Sequence, residues 1–393
     1  MQAPITEELS SLNSRDILNP SDFASLRARI PSCFPAFLIP FPSSRACPSP
    51  APGSRIWPMK QVKHGIIGLG WFGEKHCEAL SGIPQVEIAG LCTRTETRLT
   101  EVGDRFGVAA EKRYTDYHAM LADPEIESVS ITTMWDQHVD PTVAALEAGK
   151  HVFLEKPMAS TVADCDAIVD AAKKARGSFM VGHICRFNPR YAAAREAIAA
   201  GKIGRVISMY ARRNLPAWVG SSVLDKIGPI IGDCVHDTDL MFWMSDSRAV
   251  TAYAQTVQFR DHANPDLGQV MYRLENGASC ILESVWCLPD NTPFQIDERL
   301  EIVGTEGSVS IHDTHPNLMI VDKDGSRCPD TTYWPDMRGQ VRGALRDELE
   351  YFADCVLKDE MPSIISPEES REAVKACLAA EESARTGEVV KVE

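Results

Sequence analysis

The stretch HGIIGLGWFGEKHCEAL, His64 to Leu80, places an apolar run ahead of glycines in the pattern G-x-G-x-x-G and a helix-forming segment behind them. Few backbone courses satisfy that order. A strand must end near Gly68, the chain must turn sharply, and a helix must begin within a few residues. In that setting Gly68 makes the tight turn, Gly70 lets an anionic group approach the backbone, and Gly73 lets helix and strand pack closely. The first N–H groups of a helix have no partner inside it, and the dipole adds positive charge there. The pattern alone is weak, because glycines are common. Between a strand and a helix it predicts that Gly68, Gly70, Trp71, Phe72 and Gly73 hold the pyrophosphate of a dinucleotide.

The alternation continues. VEIAGLC reads as a strand, residues 95–106 as a helix, SVSITT as a strand, HVDPTVAALEAG as a helix ending in glycine, and KHVFLE as a strand. Val162, Cys165, Val169 and Ala172 lie at helical spacing, and SFMVGH makes one more strand. Strands that are apolar throughout, alternating with helices, predict a parallel sheet covered on both faces. After about residue 182 the pattern changes. A helix carries Tyr191, Ala194 and Ile198 on one face, a short helix covers about 235–244, and a β-rich stretch follows. Asn276-Gly277 between apolar runs is a hairpin signal, LEIVGTEGSVSIHD reads as a second hairpin and VDKDGS as a tight turn. The chain returns to helix from Arg342. The fold class is therefore α/β, with a dinucleotide-binding domain over 59–182 and a second α/β domain over 183–393 built on a mainly antiparallel sheet. Residues 1–58 hold ten of the 25 prolines and show no periodicity, so they read as a disordered tail or an over-extended start.

Charge narrows the partners. With 40 basic against 55 acidic residues the net charge is −15, which disfavours nucleic acid as a partner. The 12 cysteines are scattered without a C-x-x-C pair, so they read as reduced, mostly buried thiols of a cytoplasmic protein, and no metal site is expected. No apolar segment is long enough to span a membrane.

Three places carry chemistry. A carboxylate that would grip an adenosine 2′-hydroxyl is expected at the end of the second strand, yet that position reads Thr93-Arg94. A hydroxyl and a guanidinium suit a 2′-phosphate, so the cofactor is NAD or NADP with a lean to NADP, unless Arg94 stacks on the adenine or faces solvent. Glu155 and Lys156 end the strand HVFLE, which delivers them to the crevice above the sheet, and Pro157 restricts the backbone of Lys156. An ammonium there can stabilise a developing alkoxide and pass its proton; alone it would read as a surface lysine paired with Glu155. In GDCVHDTDLMFW, Asp233 and His236 are three residues apart and are expected to share a helix face, the carboxylate orienting the imidazole as a general base. A metal is the rival use of that pair, but no third ligand is evident.

Together, the glycine motif with His76 three residues on, EKPMA, RFNP and VHDTDLMFW resemble the Gfo/Idh/MocA family, the oxidoreductases of the glucose-fructose oxidoreductase and inositol dehydrogenase type. The likeness runs from about residue 62 to the C-terminus. It implies a nicotinamide-binding Rossmann domain and a C-terminal domain whose open sheet makes homodimer or homotetramer contacts. It also implies that Lys156 is the catalytic lysine, that His236 exchanges a proton with a substrate hydroxyl, and that Thr133 and His138 line the nicotinamide side. Arg186 and Asn188 of RFNP would lie where the domains meet, at the cofactor and the substrate respectively. The implied substrates are sugars, cyclic polyols and their derivatives. A redox-assisted glycosidase and a non-catalytic sensor of cofactor or sugar are the alternatives in the same fold. Two departures stand out. The inositol dehydrogenase type carries aspartate at the position of Gly232, which leaves the role of Asp233 open. Met134 and Trp135 replace a frequent Pro-Asn, and the indoles of Trp135 and Trp218 either stack on a sugar face or pack.

Overall fold

The structure, a computed structural model, describes residues 60–312 and 318–393, so the expected tail over 1–58 lies outside the described residues. Strand β1 (Val62–Ile67) leads into α1 (Trp71–Leu80), and β2 (Val86–Cys92) into α2 (Glu96–Phe106). Next come β3 (Arg113–Tyr114), α3 (Tyr117–Leu121), β4 (Ser128–Ile131), α4 (Val139–Glu147), β5 (His151–Glu155), α5 (Val162–Lys174) and β6 (Phe179–Gly182). The six strands form one sheet in the order β3-β2-β1-β4-β5-β6, with every pairing parallel. Consecutive residues such as Val152, Phe153 and Leu154 are all fully buried, as strands covered on both faces require. Strand order reverses between β1 and β4, and a crevice opens there at the carboxyl ends.

The second half contains α6 (Pro189–Ala199), β7 (Val206–Asn214), α7 (Ala217–Ser221), α8 (Val235–Ser245), β8 (Ala249–Val257), β9 (Leu267–Leu274), β10 (Ser279–Val285), β11 (Asp297–Gly304) and β12 (Ser308–His312). A small hairpin of β13 (Ile320–Asp322) and β14 (Gly325–Arg327), then α9 (Ala344–Lys358), α10 (Pro367–Thr386) and β15 (Val390–Lys391) complete it. Its seven-stranded sheet has the order β12-β11-β7-β10-β9-β8-β15 and is antiparallel except between β7 and β10. Here burial alternates. Along β9, Gly268, Val270, Tyr272 and Leu274 face inward while Gln269, Met271 and Arg273 face outward. Helices α8 and α10 cover the inner face. The hairpins expected at Asn276-Gly277 and between β11 and β12 are formed, and the tight turn expected in VDKDGS joins β13 to β14.

Two features have no local signature. Helix α9 returns to the first sheet and packs on α1 and β1, with the ring of Phe352 5.7 Å from that of Phe153 on β5. Beneath the second sheet lies a buried ionic cluster. Arg213 on β7 donates to both oxygens of Asp237 (3.1 and 3.2 Å) and to Glu298 Oε2 (2.8 Å). Tyr333 donates to Glu298 Oε2 at 2.5 Å, and Tyr191 donates to Oε1. Burial lifts the Asp237 carboxyl to about 6 even though Arg213 pulls it down.

Candidate active site

The predicted glycine turn is formed. Gly68 has φ +101°, and a Cβ there would meet the Thr132 carbonyl and the Thr133 nitrogen at 2.7–2.8 Å. At Gly73 a Cβ would lie 2.0 Å from the Gly68 oxygen, so helix and strand close up only around a bare backbone. Above Gly70 the space is open, with nothing within 4 Å of a Cβ position. No side chain caps α1, whose N-cap is Gly70. That combination of open space and uncapped N–H groups fits a pyrophosphate. Thr132 on the neighbouring strand's end donates to the Gly68 oxygen at 2.6 Å and pins the turn. At the end of β2, Thr93 is half-buried, and the exposed Arg94 reaches Gln137 Oε1 at 3.4 Å.

Lys156 follows β5 directly, and its peptide bond to Pro157 is cis. Its half-buried ammonium donates to the Gly232 carbonyl at 3.2 Å, linking the parallel sheet to the second half of the chain. Glu155 faces the other way. It is 6% exposed, within hydrogen-bonding distance of His76 Nε2 (3.0 Å), and accepts from the Lys156 backbone N–H at 3.2 Å. His76 Nδ1 meets Ser130 Oγ at 3.1 Å, and Ser130 meets His64 Nε2 at 2.8 Å. The Glu155 side chain is thus a buried strut under Lys156.

Ahead of α8 the chain makes a π-helical turn over Ile230–Cys234. A π turn takes more residues per revolution than an α turn, so a three-residue spacing no longer returns to the same face. The expected pairing of Asp233 with His236 is therefore not formed. Asp233 Oδ2 instead accepts from the indole N–H of Trp286 at 2.8 Å. The same indole occupies the space beside Gly232, where a Cβ would lie 2.6 Å from its ring. His236 is 7% exposed and its Nδ1 has no partner. Burial, then the nearby Lys156 ammonium, hold its pKa well below the ordinary histidine value. The imidazole is uncharged and close enough to Lys156 to feel its charge.

Other expected site residues are placed elsewhere. His138 is buried, with Nδ1 2.9 Å from the Pro157 carbonyl and Nε2 3.1 Å from the Thr133 carbonyl; burial lowers its pKa, and the single N–H of the uncharged ring donates to one of the two. Arg186 gives Asp239 two hydrogen bonds (2.6 and 2.9 Å) and also reaches Glu369 and the Ile364 carbonyl, which engages four of its five N–H groups. Asn188 is fully buried as the N-cap of α6, accepting from the Arg190 N–H. Thr133 Oγ1 donates to the Gln137 carbonyl beside the glycine turn. Trp135 packs half-buried against the core, whereas Trp218 stands 53% exposed. Trp286 was not foreseen, and neither was His183, which follows β6 and whose own pKa burial lowers. Nothing local in the sequence marks an indole 53 residues from the carboxylate it orients. Trp286→Phe deletes the N–H together with the outer ring carbons that lie against Gly232. A hydrogen bond to a charged group is worth about 1.5–3 kcal/mol, so KM for the substrate is expected to rise roughly ten- to hundredfold, as read by steady-state kinetics, while thermal melting reads the separate cost of the lost packing.

Among the described residues no group of His, Cys, Asp and Glu is arranged to hold a metal ion, and no helix is long and apolar enough to cross a membrane. Residues 62–183 match the model of an oxidoreductase family with an NAD-binding Rossmann fold, and residues 191–310 match the GFO/IDH/MocA C-terminal domain. Myo-inositol 2-dehydrogenase of Thermotoga maritima is 26% identical over 339 residues, spanning 84% of this chain and 99% of the relative. Inositol 2-dehydrogenase of Salmonella typhimurium is 32% identical over 258 residues, 64% of this chain and 74% of the relative. Among solved structures, a probable dehydrogenase from Thermotoga maritima superposes with a TM-score of 0.72 at 25% identity, covering 84% of this chain and 99% of that one. An apo scyllo-inositol dehydrogenase from Lactobacillus casei gives 0.75 at 22% identity, over 86% and 99% of the two chains, and at that identity shows the fold alone.

Proposed function

The chain belongs to the Gfo/Idh/MocA family of oxidoreductases, and from that premise we propose that it is an NAD(P)-dependent dehydrogenase or reductase acting on a hydroxyl-bearing ring carbon of a sugar or cyclitol. The observation that carries this reading is the meeting of Lys156 from the first sheet with the turn that bears Gly232 and leads to His236, beside the strand ends where the glycine turn lies. The names of the inositol dehydrogenases it resembles support the substrate class.

In this reading Gly68, Gly70 and Gly73 shape the pyrophosphate cradle, and the N–H groups at Trp71 and Phe72 face it. A bound nicotinamide supplies the hydride acceptor or donor. Lys156 holds the reacting hydroxyl and stabilises negative charge as it develops on that oxygen. His236, kept uncharged by burial and by Lys156, takes the hydroxyl proton during oxidation and returns it during reduction. Asp233, with one oxygen fixed by Trp286, offers the other to a neighbouring hydroxyl. Trp218 stands free to stack on a sugar face.

The end of β2 lacks the ribose-gripping carboxylate, which supports acceptance of NADP beside the NAD named in the matched family description. Arg94→Ala is then expected to weaken NADP binding about tenfold and NAD binding much less; equal losses would remove Arg94 from 2′-phosphate recognition. Following reduced-nicotinamide absorbance over a panel of inositols and sugars with both cofactors tests the activity itself. Failure of every ring polyol would overturn the substrate class. The uncovered face of the second sheet, with Met271, Ile281 and Val303 at its surface, supports assembly into a homodimer or homotetramer, which light scattering reads directly.

A further inference from the structure

The segment joining β14 to α9 is fixed at many points. Asp330 accepts from the N–H groups of Thr332 (2.8 Å), Tyr333 (2.9 Å) and Trp334 (2.6 Å). The Tyr333 hydroxyl is anchored on Glu298, and the N–H groups of Ala344 and Leu345 donate back to the carbonyls of Thr332 and Tyr333, each at 2.9 Å. Gly343 makes that return possible with φ +81°, since a Cβ there would lie 2.3 Å from the Thr332 oxygen. The backbone around Trp334 is held on both sides, so its side chain leaves from a fixed point.

That side chain crosses to the glycine turn. The Trp334 ring meets Trp71 edge-on at 5.7 Å and 81°, and Phe72 at 5.8 Å and 78°. Trp71 and Phe72 are the first two residues of α1, in the uncapped turn above the open space at Gly70. Trp71 is still 63% exposed, a large apolar surface that core packing does not account for. The loop between β14 and α9 therefore grips the first two residues of α1, beside the anion cradle.

We propose that Trp334 is a positioning residue for cofactor retention: by packing on Trp71 and Phe72 it holds the first turn of α1 in its pyrophosphate-gripping geometry and slows release of the bound dinucleotide. The proposal rests on the dinucleotide-binding reading above. A first helical turn frays readily when nothing packs on it, and its N–H groups then lose their common aim. Two edge-to-face aromatic contacts resist that fraying. The effect falls on the dissociation rate because the clamp acts on a cofactor already seated.

The test is stopped-flow displacement of NADH from the full-length protein by excess NAD, read by nicotinamide fluorescence. Trp334→Ala is expected to release NADH about tenfold faster, with an association rate close to that of the wild type and a Kd raised to match. Trp334→Phe, which restores an aromatic edge, should return to within about threefold of wild type. Adding Trp71→Ala to Trp334→Ala should speed release by less than Trp71→Ala does alone, because the contact the two rings share is already gone. If the alanine variant fails to fold, Trp334→Leu keeps apolar bulk and should still release several-fold faster than wild type. Wild-type release rates in the Ala or Leu variants, or additive effects in the double variant, would overturn the proposal. A wild-type chain that binds neither NADH nor NADPH would overturn the dinucleotide reading itself, and the proposal with it.

Discussion

Lys156→Ala is expected to lower kcat by roughly 10²–10⁴-fold, the range for losing a positioned acid–base group, while dinucleotide affinity stays within about twofold of wild type. The separation follows from where the ammonium sits. It leaves the end of β5 and donates to the Gly232 carbonyl, in the turn that carries Asp233 and leads to His236, whereas the anion cradle lies at Gly68 to Gly73 on β1 and α1. A variant that loses turnover and keeps cofactor has lost transition-state stabilisation and not binding. The pH profile gives an independent check. Burial and then Lys156 depress the pKa of His236, so the wild-type protein should keep an uncharged imidazole well below pH 6.5 and show its acid limb there. Deleting the ammonium removes one of those depressing influences. The His236 pKa then rises, and the acid limb of residual oxidation should move to higher pH. Unaltered turnover, or an acid limb that stays in place, would take Lys156 out of the proposed chemistry.

Arg213→Met is expected to destabilise the fold by about 3–5 kcal/mol, the usual result of breaking a buried ion pair from one side. Arg213 has 4% side-chain exposure and lies between Asp237 on α8 and Glu298 on β11, whose side chains are 2% and 1% exposed. Methionine fills similar volume, so the effect isolates charge from packing. Both carboxylates would lose a cation they cannot replace with water. Burial already raises Asp237 to about 6, and without Arg213 it must climb further. A carboxyl with a raised folded-state pKa favours the fold below its unfolded value near 3.8 and loses that contribution as pH rises through the folded pKa. The variant should therefore be most destabilised at neutral pH and recover part of the loss toward pH 5. Urea midpoints at both pH values with an unchanged m-value would read this out.

Much of the architecture was legible before folding, because its signals are local. Gly68, Gly70 and Gly73 meet three different steric demands within six residues, and each demand reappears in the structure. The apolar strands predicted a sheet covered on both faces, and the hairpin signals a mainly antiparallel one. Lys156 was locatable because a parallel sheet presents the ends of its strands to one crevice.

His138, Arg186 and Asn188 went differently. They are polar residues whose partners inside the fold no local pattern announced: His138 lies against two backbone carbonyls, Arg186 pairs with Asp239, and Asn188 caps α6 through its oxygen while its buried Nδ2 has no partner among the described residues. Asp233 was paired with the wrong neighbour because a regular helix was assumed where the chain inserts a π turn.

What the sequence determined by itself was conformation and facing: where strands end, which glycines turn, which stripe of each helix is apolar. Those properties follow from backbone sterics and side-chain period, which a short window contains in full. Only the tertiary structure decided partnership: Trp286 with Asp233, Trp334 with the glycine turn, Arg213 with Asp237 and Glu298. These contacts join residues far apart in the chain, and which one forms depends on how whole elements pack against each other, a choice that no local run of residues encodes.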